Sequence, residues 1–205
     1  MDKLQPLKAL QLDALKEVAN IGAGHAATAL SQLVGARIMI SVPTVNLARL
    51  EDVPPHVTAP DEPVAAVLMH MFGDLTGRTL LVFPQRTAAR LAQLLLHRER
   101  ASTEFDEMEQ SAIKEAGNIL SSAYLNALSD FMGMMLMPSP PSLAVDMSAA
   151  VLTTTYLQFG ADRDYVLCVE SEFFMTDVDE RLFGYFLLLP DAASLQAILR
   201  AVHVT

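Results

Sequence analysis

Residues 13–43 read DALKEVANIGAGHAATALSQLVGARIMISVP, and residues 111–141 read SAIKEAGNILSSAYLNALSDFMGMMLMPSPP. Aligned without gaps, the two stretches are identical at 12 of 31 positions, so the chain carries an internal repeat. Working outward from it decides the fold. Each copy opens as an apolar run with helical spacing, passes a glycine (Gly35, Gly133) and ends on a proline (Pro43, Pro141). Inside each run stand a carboxylate and a carboxamide three residues apart, Glu17 with Asn20 and Glu115 with Asn118. At 3.6 residues per turn such a pair shares one helix face. Asp13, four residues before Glu17, extends the stripe by a turn, and Ser111 takes its place in the second copy.

The chain of 205 residues is long enough to bury a core without disulfides or a structural metal. It is 52% hydrophobic and 19% charged, a globular composition. Net charge is −10, which argues against nucleic acid or an anionic membrane surface as partner. Cys168 is the single cysteine, in the apolar run Tyr165-Val-Leu-Cys-Val169, and reads as a buried small hydrophobe. The five histidines are scattered and form no zinc-binding spacing. No signal-peptide pattern opens the chain, and no apolar run reaches the roughly 18 residues of a membrane span. A cytoplasmic location is expected.

The periodicity predicts a helix over 6–34 facing its core with Leu7, Leu10, Leu15, Val18, Ile21, Leu30 and Leu33, ended by Gly35. Gly22 and Gly24 weaken it, by about 1 kcal/mol each relative to Ala. Either they allow close helix packing, or they leave a flat patch beside Asn20 for another backbone. Residues 37–42 read as a strand and the Pro-rich 50–63 as a loop. Residues 64–72 and 78–83 read as a hairpin around Gly73-Asp-Leu-Thr-Gly77, which has no Lys-Ser/Thr after it and so is no phosphate loop. Thr87 is placed as the cap of a helix to about Glu99. After a linker at 100–104, Ser102, Thr103 or Asp106 caps a helix to about Met132. A short strand at 134–137, a break at 138–141, a strand with a short helix within 142–160, a strand at 164–175, an acidic turn at 176–180, a strand at 181–189 and a last helix to about His203 complete the chain. The expectation is one α+β domain, 1–205, made of two repeats (about 6–99 and 103–205). Their helix-strand-hairpin-helix halves share an antiparallel sheet covered by the long helices.

Asn is a poor helix-interior residue because its amide competes for backbone hydrogen bonds. A solvated surface pair explains one occurrence, but two in register point to a shared role. A carboxamide does not titrate, so Asn is no general base, yet its donor and acceptor suit positioning a water. Glu offers an anion to a partner's Lys or Arg. With no nucleophile–base set, metal cluster or phosphate cradle in the sequence, the pair reads as a helper completing an active site that another protein supplies.

Asp13-x3-Glu17-x2-Asn20-x22-Pro43 and Ser111-x3-Glu115-x2-Asn118-x22-Pro141 match the D/S-x3-E-x2-N-x22-P signature of the CheC family of chemotaxis phosphatases. Phe72-Gly-Asp-Leu-Thr-Gly77 is also similar to that family. The resemblance covers nearly the whole chain. Two motifs resemble CheC more than CheX, which keeps one, and no extra C-terminal domain such as that of FliY is expected. The resemblance implies a phosphatase acting on the phospho-aspartate of a CheY-type response regulator. Asn20 and Asn118 would orient the attacking water, and Glu17 and Glu115 would anchor the regulator on its active-site Lys. Asp13 and Ser111 would support the helix or the Glu, and Pro43 and Pro141 would be structural. The magnesium ion would come with the regulator, with no cofactor of the chain's own. CheD is an implied further partner, and a monomer is plausible. Two other readings compete: a non-catalytic CheD-binding or motor-associated adaptor that docks the regulator, and a small-molecule enzyme with the Pro-rich loop as lid.

Overall fold

The computed structural model describes residues 9–49, 59, 61–99, 104–159, 165–175 and 180–201. The Pro-rich loop at 50–63 and the linker at 100–104 fall mostly outside the described residues, and the acidic turn at 176–180 almost entirely so.

Two 26-residue helices, α1 (Ala9–Val34) and α3 (Glu107–Met132), carry the repeated motif. Around them run β1 (Ile38–Ile40), β2 (Thr44–Arg49), β3 (Pro63–Gly73), β4 (Gly77–Pro84), α2 (Gln85–Leu95), β5 (Leu136–Pro138), β6 (Ser142–Met147), α4 (Ser148–Phe159), β7 (Tyr165–Met175), β8 (Glu180–Pro190) and α5 (Ala192–Ala201). The fold is α+β, with one eight-stranded sheet in the order β1-β7-β8-β4-β3-β5. Among the described residues every strand pairing is antiparallel.

The sheet is woven by exchange between the halves. β1 and β2 lie end to end along β7 of the other half, and β5 and β6 lie end to end along β3. The two hairpins meet at the centre, with Leu80 of β4 opposite Leu187 of β8. Neither half can complete its own sheet edge. Several repeated residues have structural work here. Gly35 and Gly133 both take positive φ (69° and 63°), which glycine adopts at low cost, and end α1 and α3. Ser31 Oγ bridges to Ile38, accepting from its N–H at 2.9 Å, and Ser129 Oγ donates to the Met134 carbonyl. The Ser41 N–H donates to the Glu172 carbonyl (2.9 Å) in the gap between β1 and β2. The Ser139 N–H does the same to His70 (2.8 Å) between β5 and β6.

The main core lies between one face of the sheet and α1, α3, α2 and α5. A smaller cluster on the opposite face seats α4 through Val151 and Leu152. Cys168 is buried in that second cluster, where burial and then Glu170 push its thiol up to about 12, so it stays protonated and inert at neutral pH.

Two expectations are corrected. The buried stripe of α1 is Leu15, Val18, Ala19, Ala23, Ala26, Leu30 and Val34, while Leu10, Ile21 and Leu33 are exposed. The stripe is rich in small residues because α1 packs tightly against α3: a Cβ on Gly22 would come within 2.7 Å of the Tyr124 ring. Thr87 is not a cap. α2 begins directly out of β4 with Pro84 at the N-cap and no side-chain cap bond, and ends at Leu95. Thr87 is buried in its first turns. The segment Thr44–Arg49 forms strand β2, held by its register on β7 from Thr44↔Glu170 to Arg49↔Tyr165.

Candidate functional site

The site is built on α1 and α3. In α3 the helix start is fixed by a capping box. The Asp106 carboxylate accepts the Glu109 N–H (2.9 Å), and the Glu109 carboxylate accepts the Asp106 N–H (2.9 Å). Of the three candidate caps, Asp106 is the one used. Arg98 bridges both carboxylates, at 2.7 Å to Asp106 and 2.9 Å to the buried Glu109. The Glu109 N–H and the Arg98 guanidinium together hold the Asp106 carboxyl below its usual range. Further along, Tyr124 anchors α3 to the sheet, its hydroxyl 2.6 Å from Ser171 and its ring stacked on Phe186 (4.7 Å).

On this framework Glu17, Asn20 and Glu115 are exposed and Asn118 is half-buried. None of the four side chains hydrogen-bonds or ion-pairs with a described residue. Asp13 is exposed and sits 4.0 Å from Lys16, a solvent-screened contact of little energetic weight. Ser111 is exposed one turn before Glu115. Pro43 stands between β1 and β2, and Pro141 between β5 and β6. Of the two helix glycines, Gly22 is used for packing on Tyr124, whereas a Cβ on Gly24 would meet nothing within 4 Å. Gly24 therefore lies open one turn after Asn20. The Gly73–Gly77 turn is a hairpin loop, tied to the second half by the Met135 N–H donating to the Asp74 carboxylate (2.8 Å).

Sequence reasoning missed one feature beside the second pair. A groove of about 200 Å³ runs between the end of α1, the end of α2 and the start of α3, and Glu115 forms part of its wall. The available signal was that large apolar residues recur at matching repeat positions outside the buried stripe. A cavity of about 260 Å³ lies on the other face under α4, lined by groups such as Leu68, Leu80 and Thr155, and contains none of the four pair residues. Among the described residues no group of three or more His, Cys, Asp or Glu side chains could hold a metal ion, and no helix is long and apolar enough to cross a membrane.

A strand-exchanged double repeat with a Glu/Asn pair on each of two surface helices defines a recognisable class. A model of the CheC-like family matches residues 10–47 and 108–145, which include both pairs. Over 199 residues the chain is 32% identical to the CheY-P phosphatase CheC of Bacillus subtilis (strain 168), covering 96% of this chain and 95% of that one. The chain belongs to the CheC family. It is also 28% identical over 144 residues to the flagellar motor switch phosphatase FliY of the same organism, covering 68% of this chain and 36% of that one. Among solved structures, Thermotoga maritima FliY superimposes with a TM-score of 0.80 at 24% identity, covering 97% of this chain and 98% of that one, and so shares the fold.

Proposed function

We propose that the protein is a phosphatase for the phospho-aspartate of a CheY-type response regulator in chemotaxis, acting in the cytoplasm as one domain of two repeats (about 6–99 and 103–205). The observation that carries this reading is the doubled Glu/Asn pair: four side chains on two helix surfaces, with no bond to the rest of the described chain. The names of the relatives, a CheY-P phosphatase and a flagellar motor switch phosphatase, support it.

In this mechanism Asn20 or Asn118 enters the regulator's active site and orients a water in line with phosphorus. The water oxygen bonds to phosphorus as the bond to the aspartyl oxygen breaks. Free carboxylate and inorganic phosphate result, the phosphate taking the water's proton. Glu17 or Glu115 anchors the regulator through its active-site Lys. The magnesium ion is the regulator's own. This is catalysis by positioning. A hundredfold acceleration requires about 2.7 kcal/mol, within the reach of one well-placed water.

The test follows phosphate release from phosphorylated regulator with magnesium for wild type, Asn20→Ala, Asn118→Ala and the double variant. Each single variant should keep part of the acceleration. The double variant should fall to the regulator's own rate while still binding it. A wild-type chain that binds but releases no extra phosphate, with and without CheD, would replace this reading with the adaptor one.

A further inference from the structure

The groove at Glu115 is walled by Leu33 from α1, Leu95 and Leu96 at the end of α2, and Met108 and Ala112 from α3. Leu33 and Met108 are 42% and 60% exposed, so the groove is open to solvent and mostly apolar, with Ser111 and Glu115 as its polar members. At about 200 Å³ the space is smaller than the roughly 300–1,000 Å³ of small-molecule pockets. It is the size of a slot for side chains.

The repeat relates this slot to the other pair. At the 98-residue offset Leu10 corresponds to Met108, and Phe131 corresponds to Leu33. Leu10 and Phe131 are also exposed, at 76% and 37%. Singly exposed apolar residues are ordinary, but here the same two positions are large and exposed in both copies. Met108 and Leu10 each precede their Glu by seven residues, two turns up the same helix face. The exposed carboxylate at the rim and the net charge of −10 favour a partner that presents a cation next to an apolar side chain.

We infer that the Leu33–Leu96–Met108 groove is a docking slot for an apolar side chain of the phosphorylated regulator, beside the cation that Glu115 engages, and that it sets which regulator is accepted. This rests on the proposed function above and extends the binding surface from one polar pair to a polar pair flanked by a hydrophobic anchor. Such anchors carry a large share of interface energy when water is excluded from them.

The experiment uses the full chain in a Glu17→Ala, Asn20→Ala background, which leaves one intact pair. Binding of regulator loaded with beryllofluoride, a stable phosphoryl mimic, is titrated, and phosphate release is measured separately. Met108→Glu and Leu33→Glu should each raise Kd by about tenfold or more, with phosphate release at saturating regulator kept within about twofold. Met108→Leu should restore binding, and Leu157→Glu on α4 should bind as the parent does. Both side chains are solvent-exposed in the wild type, so an unchanged thermal transition checks the fold. Unchanged Kd in both groove variants overturns the inference. A parent chain whose binding depends on the groove but which releases no phosphate sinks the catalytic reading and supports the docking slot. A parent that does not bind the regulator overturns both.

Discussion

The α1 and α3 copies of the Glu/Asn motif sit on helices of equal length but are held differently. α3 starts from a reciprocal capping box clamped by Arg98, whereas α1 has no acidic residue in its first turn. The residue before Asn118 is Gly117, whose missing Cβ lets α3 pack closely on Val67 in β3: a Cβ there would come within 2.7 Å of the Val67 side chain. The corresponding residue before Asn20 is Ala19. Asn118 is half-buried, and Glu115 of the same pair lines a groove. Asn20 is exposed and followed one turn later by the open Gly24. One amide is partly seated in the surface; the other is open. In a mechanism that works by positioning, the seated amide should be the better catalyst.

The largest expected effect tests that ranking. Asn118→Ala should remove most of the acceleration of phosphate release and Asn20→Ala the smaller part. Losing both should forfeit an acceleration on the order of a hundredfold. Equal losses from the two single variants would break the comparison and make the seating of α3 irrelevant to catalysis.

The next effect is on stability. Gly117→Ala places a Cβ 2.7 Å from three atoms of the buried Val67 side chain. Gly22→Ala places one 2.7 Å from the Tyr124 ring and 3.0 Å from its Cα. Overpacking of this kind costs about 1–3 kcal/mol, against about 1 kcal/mol regained in helix propensity. Urea unfolding should show both variants destabilised. Gly117→Ala should also lower turnover through Asn118, since α3 can relieve the clash only by lifting from β3.

The capping box gives α3 a pH-dependent anchor. Because the Asp106 carboxyl is held below its usual value, its contribution is fully present above the unfolded value of about 4 and is lost as pH falls through the lower folded value. Asp106→Asn keeps the cap acceptor but removes the charge. Its Tm should lie below wild type at pH 7, and the gap should close as pH drops below about 4. A gap that persists at low pH would mean that the Arg98 clamp does not act through ionised Asp106.

Much of this was legible in the sequence because it is local. Gly35 and Gly133 end their helices, Asp106 is one of the three candidate caps before α3, and the Gly73–Gly77 hairpin follows from turn chemistry. The repeat exposed the two-copy architecture and the surface position of Glu17, Asn20 and Glu115. What was not legible depends on partners distant in sequence. The strand Thr44–Arg49 exists because β7, more than 110 residues later, supplies its register. Leu10, Ile21 and Leu33 read as core because they are large and periodic, yet the helix–helix contact is made by small residues that let Tyr124 approach. The groove beside Glu115 needs three helix ends to meet, which no single stretch announces.

The smallest effect concerns the open copy. A Cβ at Gly24 meets nothing within 4 Å, so Gly24→Ala should add helix propensity without strain, stabilising the chain by up to about 1 kcal/mol, or roughly 2–4 °C in Tm. If Gly24 has no further role, that is the whole result. If it keeps a flat surface beside Asn20 for the regulator's backbone, the variant should be more stable and yet lose turnover at the first pair, measured in the Asn118→Ala background. The second copy already carries Ser122 at the matching position. Ser122→Gly should therefore improve access at the second pair only slightly, because half-buried Asn118 is limited by its own seating rather than by clearance one turn away. A gain from Ser122→Gly as large as the loss from Gly24→Ala would show that the two helices present their amides to the regulator in the same way, limited by clearance. Little or no gain at position 122 beside a loss at position 24 would show that only the open copy depends on clearance.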